Sequence, residues 1–176
     1  MAGLEFAVTQ QLYLLRHAEA EAWNPLGNDF SRPLSAAGSQ HARLLSSWAF
    51  ETLDSPDTIL CSPARRTRET LAPFLSRWPR LLDSTDYPDA IYAASANLLL
   101  TLAEDAFSYS ERLLLIGHNP GVMNLLLDLL QQEQAAGIKT MGTGTLAVIE
   151  FSTGFSRQSR AGNLLHLKRQ EDFSFD

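Results

Sequence analysis

The chain has 176 residues, a hydrophobic content of 45% and a formal net charge of −6. This length predicts one domain, residues 1–176, with enough apolar surface to fold around its own core. The acidic balance argues against nucleic acid as a partner, because proteins that bind phosphate backbones usually present a basic face. The single cysteine, Cys61, excludes an internal disulfide and a four-thiolate zinc site.

The sequence gives no sign of a membrane segment. No stretch has the length of apolar residues that a membrane-spanning helix needs. Residues 1–6 carry no basic leader ahead of a long apolar run. We therefore expect a cytoplasmic protein that does not associate with membranes.

A run of large apolar residues near the N-terminus, 12–15, predicts a strand buried on both faces, as at the centre of a parallel sheet. Arg16 and His17 follow this strand directly. In open α/β sheets ligands bind outside the carboxyl ends of the strands, so these two side chains are placed for chemistry on an anion. The composition of residues 18–31 predicts a loop beside that site.

Two helices and a strand are predicted in the next part of the chain. Ser35 is typical of a helix N-cap, and the apolar stripe that follows predicts a helix ending near residue 53. Residues 57–61 predict a second strand. Ser62 and Pro63 then indicate the start of a helix, with serine as N-cap and proline at the first helical position, running to about residue 78.

The second half of the chain continues the alternation of strands and helices. The predicted elements are a strand at 80–82, a helix at 95–107, a buried strand at 113–116, a helix at 122–132, a strand at 145–151 and an antiparallel edge strand at 164–168. This alternation predicts an α/β fold, a three-layer sandwich with a mostly parallel central sheet and helices on both faces.

Three motifs fall at the carboxyl ends of predicted strands and bring basic side chains to one edge of the sheet. They are Leu15-Arg16-His17-Ala18, Ser62-Pro63-Ala64-Arg65-Arg66-Thr67 and Gly117-His118-Asn119-Pro120. Together they resemble the histidine phosphatase superfamily, also called phosphoglycerate mutase-like, over most of the chain. Within it the chain is similar to the SixA-type phosphohistidine phosphatases in three respects. These are its small size, the absence of a large insertion before residue 113, and Arg32-Pro33-Leu34-Ser35 followed by Gly38.

The resemblance implies a phosphoglycerate mutase-like fold and a role for each matching residue. His17 would be the nucleophile that takes the phosphoryl group, and Arg16 and Arg66 would bind the oxygens of that group. His118 would be the second catalytic histidine, contacting the phosphate from the other side, with Asn119 beside it among the phosphate-binding residues.

The chemistry of phosphoryl transfer calls for residues of these types. A phosphoryl group in transfer carries negative charge on three equatorial oxygens, and the protein has mainly to align the group and neutralise this charge. Two guanidiniums and two imidazoles can do so without a metal or any other cofactor. Attack by His17 and then by water would give a two-step hydrolysis.

Mutases and many phosphomonoesterases of this superfamily also use a carboxylic acid to protonate an alcohol leaving group. Asp89 is the best positional candidate for such an acid here, and Glu19 and Glu21 are alternatives. A phosphohistidine substrate would need this acid less, because solvent can protonate the departing imidazole at its other nitrogen.

The sequence therefore predicts a metal-independent phosphatase with a phosphohistidine intermediate at His17, acting on phosphohistidine in a partner protein. Two alternatives stay open. One is a small-molecule phosphomonoesterase with Asp89 as acid. The other is a non-catalytic module that binds phosphate or a phosphoprotein.

Overall fold

The structure is a computed structural model that describes residues 9–156 and 162–173. Its strands are β1 (Gln10–Arg16), β2 (Thr58–Cys61), β3 (Thr85–Asp86), β4 (Arg112–Gly117), β5 (Leu146–Phe151) and β6 (Asn163–Lys168). Its α-helices are α1 (Ala36–Thr52), α2 (Arg65–Arg77), α3 (Ala96–Phe107), α4 (Gly121–Leu129) and α5 (Gln132–Ala136). Short 3-10 helices cover Asp29–Ser31, Pro79–Ser84, Asp89–Ile91 and Gln170–Asp172. Within the described ranges, no helix is both long enough and apolar enough to cross a membrane.

The six strands form one sheet in the order β3-β2-β4-β1-β5-β6. β1 and β2 both pair with β4 in parallel, and β3 pairs with β2 in parallel. β5 runs antiparallel to β1, and β6 runs antiparallel to β5. The predicted α/β fold with a mostly parallel sheet is confirmed, and so is the antiparallel edge strand near the C-terminus.

Helices cover both faces of this sheet, because successive residues of the central strands point to opposite sides. Leu12 and Leu14 of β1 pack in the core beneath α3 and α4. Tyr13 and Leu15 pack in the core beneath α1 and α2. A strand that is buried on both faces needs an apolar residue at every position, which explains the uninterrupted run that predicted β1.

Two predictions about local structure are wrong. The helix after β2 begins at Arg65, and its N-cap is Ala64 without a side-chain hydrogen bond. Ser62 lies three residues before the helix, and its hydroxyl accepts from the Ala64 N–H at 3.4 Å and lies 2.7 Å from Nε2 of His118. The strand predicted at 80–82 is part of the 3-10 helix Pro79–Ser84, in which Leu81 is buried while Arg80 and Leu82 are exposed. The parallel strand β3 follows it.

Helix α1 begins as predicted and is fixed closely against the loop after β1. The Ser35 hydroxyl accepts a hydrogen bond from the Gly38 N–H at 2.9 Å, which satisfies one of the free donors of the first turn. A Cβ on Gly38 would lie 2.0 Å from the carbonyl oxygen of Glu19. The carbonyl carbon and the nitrogen of Glu19 would lie at 2.8 and 2.9 Å, and because all three atoms belong to the backbone, none can move aside cheaply.

We therefore expect Gly38→Ala to lower the free energy of unfolding by about 2 kcal/mol, as overpacking at buried positions does. Urea denaturation followed by circular dichroism measures this change. Gly137→Ala is the matched control, because its Cβ would meet no atom closer than 3.5 Å. It should change the free energy by less than about 0.5 kcal/mol. Equal changes in the free energy of unfolding of the two variants would contradict the close contact between Gly38 and the Glu19 backbone as the cause.

Candidate active site

Three segments of the chain meet at the carboxyl edge of the parallel strands. β1 ends at Arg16 and leads into His17, β2 leads through Ser62 to Arg66 in α2, and β4 leads to His118. The three strands are neighbours and run in the same direction, so the residues that follow them lie side by side. Arg16, His17, Arg66 and His118, which the motifs predicted as site residues, are thereby brought together.

His17 is only 7% exposed, and its ring is held in one orientation. Its Nδ1 lies 2.7 Å from the carbonyl oxygen of Ala18. A carbonyl can only accept, so Nδ1 carries the proton and Nε2 keeps a free lone pair. The backbone is fixed as well, with the His17 N–H donating to Gly117 and the His17 carbonyl accepting from Gly144. Nε2 consequently faces Nε of Arg66 at 3.4 Å.

His118 lies next to His17, with the two ring centroids 5.1 Å apart. Its Nδ1 accepts from Nη2 of Arg66 at 3.3 Å, which leaves the proton on Nε2. That N–H donates to the hydroxyl of Ser62 at 2.7 Å. Both histidines therefore present an unprotonated nitrogen to the same guanidinium.

The surroundings keep both imidazoles neutral. Burial is the main reason that the pKa of His17 falls from its ordinary value of 6.5 to about 4, and the charges of Arg66 and Arg16 act in the same direction. The pKa of His118 falls from 6.5 to about 3, again chiefly through burial, with His17 and Arg66 adding to the effect. At neutral pH both rings are thus neutral, and the unprotonated nitrogen of each accepts a hydrogen bond from Arg66.

These pKa shifts predict how the two rings titrate. In the folded protein their NMR shifts should stay constant from about pH 8 down to about pH 5, whereas both rings should titrate near pH 6.5 in urea. Between pH 6.5 and about 4 the unfolded chain binds these protons and the folded chain does not. The two rings should therefore lower the free energy of unfolding as the pH falls through that interval. A transition of either ring near pH 6.5 in the folded protein would contradict this.

Arg66 is the centre of the cluster and is 5% exposed. Besides its contacts with the two histidines, it donates from Nη1 to the backbone oxygen of Asp29 at 2.7 Å and from Nη2 to Oδ2 of Asp29 at 3.0 Å. The same Oδ2 accepts from the Tyr92 hydroxyl at 2.8 Å. Oδ1 accepts from Nε of Arg32 at 3.0 Å. The Asp29 carboxylate thus adds a negative charge beside the histidines and arginines of the cluster.

Asp29 and Tyr92 were not predicted as site residues from the sequence. Asp29 lies in residues 18–31, which were predicted only as a loop, and its one sequence signal is an acid three residues before Arg32. Burial by itself would raise the pKa of Asp29, but the Tyr92 hydrogen bond and the charges of Arg66 and Arg32 outweigh it and hold the pKa below its ordinary value. Asp29 is therefore ionised at neutral pH.

Arg16 and Asn119 meet at one acceptor. Nη1 of Arg16 and Nδ2 of Asn119 donate to the carbonyl oxygen of Met141 at 2.8 and 2.9 Å. Nε of Arg16 is buried and has no hydrogen-bond partner within the described part of the chain. A buried donor without an acceptor is costly, and the oxygen of a bound anion would satisfy it.

Asp89 is not brought into this cluster. It is exposed at the start of the 3-10 helix Asp89–Ile91, and its carboxylate forms no hydrogen bond or ion pair with the described residues. Glu19 and Glu21 are also exposed, and the carboxylate of Glu19 accepts from the Ser35 hydroxyl at 2.7 Å.

An open cleft borders the cluster. Its lining includes Asp29, Arg66, Tyr92, His118 and Asn119. Across residues 9–156 and 162–173, no three histidine, cysteine, aspartate or glutamate side chains are grouped so that they could hold a metal ion. The groups that this site offers to a ligand are therefore mainly guanidinium and amide N–H groups and two imidazoles, which suit an oxyanion.

The fold and the cluster together define an α/β protein with two histidines and two arginines at the carboxyl edge of its parallel strands. Part of the sequence matches a known protein family, and the fold matches several solved structures. Residues 12–86 match the family model "Histidine phosphatase superfamily (branch 1)". This match spans β1 to β3 and includes the first two of the three strand-end motifs, so over these residues the chain is similar to the superfamily that the motifs predicted.

The solved structures that resemble the chain include SixA proteins. A protein assigned as SixA from Agrobacterium tumefaciens is 27% identical, with a TM-score of 0.80 over 91% of this chain and 97% of that one. The protein histidine phosphatase SixA in complex with tungstate is 20% identical, with a TM-score of 0.76 over 93% and 99% of the two chains. The uncharacterized protein Rv1276c of Mycobacterium tuberculosis is 29% identical over 106 residues, which are 60% of this chain and 63% of that protein.

Proposed function

We propose that this protein is a phosphohistidine phosphatase that hydrolyses its substrate through a covalent phosphoryl intermediate on His17. The observation that carries the proposal is the pair of neutral histidines, each with an unprotonated nitrogen facing the guanidinium of Arg66. A nucleophilic imidazole must be neutral at the attacking nitrogen, and a phosphoryl group needs a fixed positive charge beside it.

The reaction would proceed in two displacements. First, Nε2 of His17 attacks phosphorus while the bond to the leaving group breaks and leaves its electron pair on the leaving atom. Water then attacks the phosphorylated ring and releases inorganic phosphate. The hydrogen bond from Nδ1 of His17 to the Ala18 carbonyl supports the first step, because it holds the ring with Nε2 free.

The other site residues would bind the phosphoryl oxygens. The buried Nε–H of Arg16 has no hydrogen-bond partner among the residues that the structure describes, and the guanidinium of Arg66 points into the cluster. A phosphoryl dianion beside His118 would raise the pKa of that ring and favour its protonated, donating form. Asn119 has an amide N–H at the same edge of the cleft.

The choice of a phosphorylated nitrogen as substrate has two supports. The SixA protein that shares this fold is named a protein histidine phosphatase. In addition, Asp89 lies outside the cluster and Asp29 is ionised, so neither carboxyl is placed or protonated to supply a proton to an alcohol leaving group. We infer that the physiological substrate is a phosphohistidine side chain that enters the open cleft from a partner protein.

A panel of three substrates tests this function. Phosphate release should be measured from a phosphorylated histidine phosphocarrier protein, from phosphoramidate and from p-nitrophenyl phosphate. We expect faster cleavage of the P–N bonds, complete dependence on His17 and no effect of Asp89→Ala. A preference for p-nitrophenyl phosphate together with a defect in Asp89→Ala would indicate a phosphomonoesterase, and release from none of the three would indicate a binding module.

A further inference from the structure

Asp29 brings a negative charge to the mouth of a site that has to bind an anion. Its side chain is 36% exposed and lines the cleft beside Arg66 and His118. Both of its carboxylate oxygens are held, one by Arg66 and Tyr92 and the other by Arg32. The position of this charge is therefore fixed relative to the cluster.

The guanidinium of Arg66 separates Asp29 from the nucleophile. Nε of Arg66 contacts His17, and the two Nη atoms contact Asp29. In an in-line displacement the nucleophile and the leaving group lie on opposite sides of phosphorus. A phosphoryl group bound beside Arg66 and facing His17 would therefore direct its leaving group toward the cleft, where Asp29 is.

An ionised carboxylate at that position discriminates between leaving groups by charge. It cannot give a proton to an alkoxide, and it repels an anionic oxygen leaving group. It attracts a leaving group that carries a positive charge. Phosphoramidates carry such a charge when nitrogen is protonated, at the leaving amine in phosphoramidate itself and at the distal ring nitrogen in phosphohistidine.

We propose that Asp29 binds the cationic form of the leaving group and thereby selects phosphorylated nitrogen over phosphate monoesters. This inference rests on the proposed function and adds the residue that determines its substrate class. It assigns to the carboxylate a direct contact with substrate, beyond its hydrogen bonds to Arg66.

The charges balance through the step. The lone pair on Nε2 of His17 forms the new N–P bond as the N–P bond of the substrate breaks, and the electron pair of that bond goes to the leaving nitrogen. The leaving ring keeps its distal proton and departs as neutral imidazole. The positive charge passes to the ring of His17, which keeps its Nδ1 proton against Ala18. Asp29 thus acts on the protonated substrate, and its loss should appear mainly in KM.

Asp29→Asn keeps the shape of the side chain and removes its charge. We expect kcat/KM for phosphoramidate to fall about fivefold or more, a loss that corresponds to the free energy of a partly exposed ion pair. We expect kcat/KM for p-nitrophenyl phosphate to rise about twofold. The alkaline decline of kcat for phosphoramidate should also move to lower pH, because no carboxylate then holds the proton on the nitrogen of the bound substrate. Asp29→Glu, which retains the charge, should keep the preference for phosphoramidate.

Asp105→Asn is the matched control, since it removes an exposed carboxylate on α3 and should alter neither substrate. Equal losses with both substrates in Asp29→Asn would overturn the inference and leave Asp29 as a residue that only positions Arg66. Unchanged kinetics with both would overturn it as well. A wild-type protein that cleaves p-nitrophenyl phosphate alone, through His17, would instead contradict the proposed function.

Discussion

His17→Ala should lower turnover of phosphoramidate and of a phosphohistidine protein on the order of 10³-fold or more, the largest effect that we expect from any single substitution. The variant removes the atom that would form the bond to phosphorus. Water would then have to attack the substrate directly, without a ring held in line by Ala18 and by the backbone of Gly117 and Gly144. Steady-state kinetics measure the loss.

Trapping the intermediate makes this test specific. Wild-type protein mixed briefly with ³²P-labelled substrate and quenched in alkali should retain label on histidine, and His17→Ala should retain none. His166→Ala is a suitable control, because His166 lies on the edge strand β6 and packs against Trp48. It should keep nearly full turnover. Label retained by His17→Ala would assign the intermediate to another residue, with His118 as the first to examine.

Arg66→Ala should lower kcat/KM by about 10²-fold to 10³-fold, as the loss of a principal charge-stabilising donor does. The Arg66 guanidinium forms four hydrogen bonds that join His17, His118 and Asp29. Its charge also lowers the pKa of both histidines, so the variant should shift their titration upward. Arg66→Lys should recover little, because one ammonium group cannot make all of these contacts.

The neighbouring residue provides a matched control. The side chain of Arg65 is 57% exposed and pairs with Glu69 at 2.7 Å. Arg65→Ala should change kcat/KM by less than about twofold, since an exposed pair of this kind contributes little. Similar losses in the Arg65 and Arg66 variants would contradict the central position of Arg66, and so would an Arg66→Ala variant close to wild type.

Local patterns in the sequence were sufficient for most of the fold. β1 and β4 could be predicted because a strand buried on both faces requires consecutive apolar residues, and α1 because Ser35 caps it. The predictions that are wrong depend on distant contacts. Ser62 looks like an N-cap but bonds to His118, which is 56 residues further along the chain. Residues 80–82 look like a strand, yet only Leu81 is buried and Leu82 is 61% exposed.

The sequence by itself determined which residue types stand at the carboxyl ends of the parallel strands, because strand burial and motif order are properties of short segments. Only the tertiary structure decided which nitrogen of each histidine is unprotonated, and that the Asp29 carboxylate joins the cluster. The hydrogen bond that orients the His17 ring joins adjacent residues, but the contacts of Asp29 with Arg66 and Tyr92 and those of His118 with Arg66 and Ser62 join residues from 37 to 63 positions apart. The physical reason is that no local pattern of hydrophobicity or capping specifies which side chains will meet once the segments pack together.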